Sequence, residues 1–117
     1  MLLALLLAPA VAEAQAAWSV VASPSPGPVN DLKGAASVSA NDVWVVGEFV
    51  DPNTGATTTV VEQRNGTAWS VVTGPNPSAS ENILDAAADP SSGQAWAVGA
   101  FFNTTNKVLE TLTEFNP

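Results

Sequence analysis

The chain contains no histidine, no cysteine and no tyrosine, and only three basic residues, Lys33, Arg64 and Lys107. Without histidine or cysteine there is no Ser-His-Asp or Cys-His nucleophile system, no imidazole or thiolate metal site and no disulfide. Carboxylates are left as the only acids or bases. A formal net charge of −8 with no basic cluster makes nucleic acid and anionic membrane surfaces poor partners. Stability has to come from packing, and a chain that is 46% hydrophobic and 12% charged has the composition to form one modest core.

Leu2 to Val11 is an apolar run of leucine, alanine and valine broken only by Pro9, followed by Ala14-Gln15-Ala16. It is shorter than the roughly 20 residues a spanning helix needs, and the trailing A-x-A matches a leader cleavage site. Residues 1–16 are therefore expected to be a signal peptide, with the protein exported to the cell envelope or medium. The absence of Lys and Arg ahead of the apolar run departs from the usual pattern.

The remaining chain, 17–117, carries an internal repeat. WSVV occurs at Trp18–Val21 and again at Trp69–Val72, each time leading into Pro-x-Pro, at Pro24 and Pro26 and at Pro75 and Pro77. Later landmarks recur 52 residues apart: Asn30 and Asn82, Leu32 and Leu84, Trp44 and Trp96, Gly47 and Gly99, Phe49 and Phe101, Glu62 and Glu114. A repeat of this length marks a module that stacks on copies of itself. Each unit divides into short strand-like runs: Leu32 to Ser39, Val43 to Val50, Thr57 to Asn65 and Ala68 to Thr73, then Ile83 to Ala88, Gln94 to Phe102 and Lys107 to Phe115. Turn residues separate them, such as Asp51-Pro52-Asn53-Thr54-Gly55 and Asn65-Gly66. The runs around Trp44 and Trp96 are apolar on both parities, which predicts strands covered on both faces. Gly47 and Gly99, just after them, predict a bulge or a close approach of backbones.

These residues carry a family resemblance. WSVV-x-x-P-x-P, N-x-L, NDVWVVG and E-x-x-N-G-x-x-W resemble the tandem repeats of secreted bacterial kelch-like, galactose-oxidase-type β-propeller proteins. The resemblance implies an all-β chain of antiparallel four-stranded propeller blades, about two of them. Residues 17–73 would hold an outer strand plus a first full blade, and 74–117 a second blade lacking its outer strand. The second unit has Gly93-Gln94-Ala95-Trp96 in place of NDVW, and no Gly-Gly doublet of the kelch type occurs. The copper ligands of the galactose-oxidase propellers have no counterpart, since tyrosine and histidine are absent. A β-sandwich is the alternative architecture, but it gives no reason for the period.

Of the carboxylates, Asp31, Asp42, Glu48, Asp51, Asp85 and Asp89 are the catalytic candidates by composition, and nothing in their spacing selects a pair. Glu62 and Glu114 share one repeat position and read as structural. Asp51-Pro52-Asn53-Thr54-Gly55 opens like a calcium loop but lacks the later glutamate, so it reads as a hairpin turn. The sequons at Asn65 and Asn103 read as turns. Trp44 and Trp96 are expected in blade packing, and so, less firmly fixed by their runs, are Trp18 and Trp69; sugar stacking is the other use of such side chains. The reading is a secreted, acidic repeat protein acting as a binding module, with no catalytic residue, metal or cofactor. Its partners are further blades of the same kind, in a longer chain or by self-association, and a glycan or protein ligand of unknown identity. The rivals are a fragment of a secreted carbohydrate-active propeller enzyme and a structural spacer of the cell surface.

Overall fold

The structure, a computed structural model, describes residues 3–10 and 16–117. Much of the expected leader, including Ala14 and Gln15 of the cleavage motif, lies outside the described residues. The described residues form an all-β structure with no helix and two antiparallel sheets. The strands are β1 (Asn30–Ser39), β2 (Asp42–Val50), β3 (Thr57–Arg64), β4 (Trp69–Val72), β5 (Asn82–Ser91), β6 (Gln94–Asn103) and β7 (Val108–Asn116). Strands β1 to β4 make a four-stranded meander, β5 to β7 a three-stranded one, and neither sheet closes on itself.

Turn chemistry sets the strand ends. Between β2 and β3, Asp51 Oδ1 accepts the Asn53 amide at 2.7 Å, and Gly55 turns the chain at φ 74°. Between β3 and β4, Asn65 Oδ1 accepts the amides of Thr67 and Ala68, with Gly66 at φ 98°. Such Asx geometry needs a short polar side chain next to a residue that tolerates positive φ. Strand β5 runs on through Asp89 and Pro90 to Ser91, three residues past the stop expected at Ala88, so the segment from Asp89 to Gly93 turns only at Ser92 and Gly93.

Equivalent pairs recur in the two sheets 52 residues apart. Asn30 faces Phe49, Leu32 faces Gly47 and Ala36 faces Trp44; likewise Asn82 faces Phe101, Leu84 faces Gly99 and Ala88 faces Trp96. Both sheets slip register at the same place, between Leu32 and Gly34 and between Leu84 and Ala86. Gly47 and Gly99 sit opposite these bulges. A Cβ at Gly47 would strike the Asp31 carbonyl, and one at Gly99 the Ile83 carbonyl, so the bulged strand approaches too closely for any side chain.

The sheets pack face to face, with β5 against β1, β2 and β3. Val46 of the first sheet meets Leu84, Ala97 and Leu112 of the second in one buried cluster, with Val61 and Phe101 against it. At Gly34 a Cβ would lie 2.8 Å from the Ala86 Cα, which marks where β1 crosses β5. Polar links tie the rims together. Asn82 accepts the Ser78 amide and donates to the carbonyls of Ser78 and Thr57, at 2.8, 2.8 and 3.2 Å, joining the entry to β5 to the start of β3. Thr57 donates its amide to the Ser80 carbonyl at 3.0 Å.

Two expectations need correction. Strand β6 is covered on one face only: Ala95 and Ala97 are buried, whereas Trp96 and Val98 are each 45% exposed. Its sequence is apolar on both parities, yet among the described residues no sheet lies on the second face. The N-terminal copy of WSVV forms no strand. Trp18 and Val20 are fully exposed, and the outer strand expected at the start of 17–73 pairs with no described strand, although its second copy, β4, pairs with β3 from Val61–Val72 to Arg64–Trp69.

Candidate functional site

The six candidate carboxylates do not gather at one site, although two pairs of them lie close. Glu48 and Asp85 share Lys33, whose Nζ lies 3.3 Å from Glu48 Oε2 and 3.7 Å from Asp85 Oδ1, bridging the first sheet to the second. Asp31 is exposed on β1. Asp51 is occupied in its turn. Asp42 opens β2 and is buried; its Oδ2 accepts the Gly93 amide at 2.6 Å and its Oδ1 the Gln63 amide group at 3.2 Å. The Gly93 bond is the main reason its carboxyl is held below the ordinary value, with Gln63 next. Asp89 is pushed the other way, by burial first and then by the charge of Asp42. These two carboxylates therefore stand near one another at the β1–β2 and β5–β6 turns. Asp42 was legible only as one acid among several; its bridge between turns 51 residues apart was not readable from spacing. Among the described residues no group of three or more carboxylates could hold a metal ion.

One concavity lies between the two sheets. It is a cleft of about 110 Å³ whose walls include Trp44, Val61 and Val72 on one side and Trp96, Ala97 and Glu114 on the other. Trp44 is 1% exposed and forms part of the packed interface, as its run predicts. Trp69 is half-buried at the start of β4. Glu114 Oε1 finds no hydrogen-bond partner, and burial raises its carboxyl above the usual range. Glu62, its counterpart in the first sheet, is buried at 1% exposure and raised for the same reason, with Ser23 reaching the carboxylate and offsetting part of the rise. The shared position of these two glutamates was legible as structural, but the segments that cover them were not.

The other feature is an open face. Trp96 and Phe115 pack ring against ring, with centroids 4.5 Å apart and a 31° tilt, and both remain nearly half exposed. Val98, Ala86 and Ala88 continue this surface around a shallow depression of about 170 Å³. Opposite it, on the far side of the first sheet, Leu32 is 43% exposed, whereas its counterpart Leu84 is fully buried. Both sequons lie in ordered turns. Asn103 accepts the amides of Thr105 and Asn106 and donates to Glu110, so its side chain holds the β6–β7 turn as Asn65 holds the one before β4.

The fold defines the class: an all-β protein of two antiparallel sheets packed face to face. No protein-family model matches the chain, and no curated protein or solved structure does.

Proposed function

We propose that the chain is an exported binding or interaction module built from two propeller-type blades, with no catalysis of its own. The observation that carries this reading is the pairing of faces. Val46 is buried against Leu84, Ala97 and Leu112 and Trp44 is 1% exposed, while their counterparts Val98 and Trp96 are exposed, as is Leu32, the counterpart of Leu84. The two open faces thus repeat the two halves of the covered one. Apolar faces of this kind mark interaction sites on soluble proteins. None of the six candidate carboxylates lines either concavity, and this favours a module over a glycosidase, which needs two of them across one cleft.

The test is the mass of the full chain by light scattering coupled to gel filtration. A particle of several chains is expected at micromolar concentration, and Trp96→Lys, which places a charge on the open face, should return it to the single-chain mass. A wild-type chain that runs as a cooperative single-chain particle would contradict the stacked-blade reading.

A further inference from the structure

We propose that the free edge of β7 is completed by residues Trp18–Val21 of a second copy of this chain, which add a fourth strand to the three-stranded sheet. This deepens the blade reading above and rests on it.

The vacant edge is defined by comparison within the molecule. Val61, Glu62, Gln63 and Arg64 of β3 pair with Val72, Val71, Ser70 and Trp69 of β4. Their counterparts on β7, Thr113, Glu114, Phe115 and Asn116, pair with β6 on one side and with no described strand on the other. An open edge presents unpaired amides and carbonyls that an extended segment can satisfy. The segment that fits is present, since Trp18–Val21 has the same sequence as β4 and is unpaired.

The exits of the two WSVV segments show which sheet each belongs to. After β4 the chain passes to the next sheet, where a Cβ on Gly74 would lie 2.7 Å from Glu114 Oε2. Strand β4 therefore completes one sheet while its exit covers the buried glutamate of the following one. Ser23 holds the position of Gly74, and the segment it opens lies against the first sheet, where a Cβ on Gly27 would meet the Val50 carbonyl and the Phe49 side chain. By the same geometry, the strand just before Ser23 completes a sheet that precedes the first. No such sheet is present among the described residues, and the second copy's β5–β7 sheet is the one with the matching edge.

The loop before β1 supports the same placement. Asn30 clasps Gly27 through its amide and carbonyl, at 3.0 and 2.6 Å, as Asn82 clasps Ser78. Asn82 makes one more bond, to Thr57 of the preceding sheet, and stays buried; Asn30 lacks that partner and is exposed. Seating a second copy there sets Val98 of that copy over Leu32 and Val45, in the way Val46 meets Leu84 and Ala97. Val21 of one copy then faces Thr113 of the other, and Trp18 faces Asn116. The contact is head to tail, so two, three or four copies would close rings of about four, six or eight sheets, the usual range for propellers.

The chain has no cysteine, so introduced thiols can bond only to each other. Directly opposed residues on paired strands hold their Cβ atoms about 5 Å apart, close to disulfide reach. Full-length Val21→Cys and Thr113→Cys proteins, made separately, mixed and oxidised, are read by intact mass. Because each carries one thiol, a mixed disulfide can only join two copies. The expected result is roughly tenfold more mixed disulfide than in a control mixture of Val21→Cys with Thr54→Cys, whose thiol sits in the exposed β2–β3 turn. Equal yields from the two mixtures, with wild-type protein still a multimer, would overturn strand exchange and leave the stacked-face reading intact. Equal yields with wild-type protein at the single-chain mass would overturn both.

Discussion

Trp44 and Trp96 stand on corresponding strands, each opposite an alanine of the strand before. One is buried at 1% exposure and the other is left at 45%. Local sequence cannot produce that difference, because the backbone register and the flanking apolar residues correspond. What differs is the neighbour: the first sheet has a second one on its Trp44 face, and among the described residues no sheet covers the Trp96 face of the second. Leu84 and Leu32 give the reverse case on the opposite faces. In this fold, burial is a property of the stack, and a residue's place in the order of sheets decides its energetic weight.

The largest test of that contrast is to remove both tryptophans in turn. Trp44→Ala should cost about 3–5 kcal/mol, the range for deleting a large buried aromatic side chain. Trp96→Ala, measured by chemical denaturation at a concentration low enough to dissociate copies, should cost about 1–2 kcal/mol, since half of that surface is already in water. Equal large losses would mean that Trp96 is covered within the single chain.

The two clasping asparagines give a finer contrast. Asn82→Ala strands the Ser78 amide and removes the bond to Thr57, all in a buried site, and should cost about 2–3 kcal/mol. Asn30→Ala removes the same clasp where water can replace it, and should cost less than about 1 kcal/mol. Urea midpoints for the two variants check the order.

The buried glutamates predict how stability depends on pH. Glu62 and Glu114 have folded values raised above the ordinary 4.5, so between that value and the raised one the folded state holds more protons than the unfolded state. Their contribution is fully present below pH 4.5 and is lost as pH rises through the folded values. Glu62→Gln should therefore raise the thermal midpoint at pH 7 and flatten its fall above pH 4.5. Asp42 works in the opposite sense. Its folded value is lowered, so its contribution is present above 3.8 and lost as pH falls through the folded value, and Asp42→Asn should destabilise most at neutral pH. Thermal melts across pH 3–8 would separate the two signs. The smallest effect is expected for Asp51→Ala, which gives up one exposed turn bond and should cost about 0.5–1 kcal/mol by urea midpoint.

The strands were legible because their punctuation is local. Asn-Gly and Pro-Asn-Thr-Gly fix turns through φ and Asx bonding wherever they stand, and the observed strands begin and end within two residues of the expected runs except at the end of β5. There the chain ran on through Pro90, a residue that normally ends pairing but is tolerated next to an irregular register, here the shift between Ala88 and Ser91. The bulges at Gly47 and Gly99 were foreshadowed by the glycines themselves. Exposure of Trp96 was not legible, since its sequence context matches that of a buried residue. The Asp42 to Gly93 bond was hidden for a related reason: it joins two turns that only the stacking of sheets brings together.

The account turns on whether the second sheet is completed by another copy, and amide exchange reads this at the edge concerned. Protection of Thr111–Asn116 in β7 is to be compared with that of Thr59–Arg64 in β3, with protein concentration as the variable. Completion by a second copy predicts β7 amides protected like those of β3 at high concentration and faster on dilution. Rapid exchange of alternate β7 amides, unchanged across the concentration series while β3 stays protected, would contradict it.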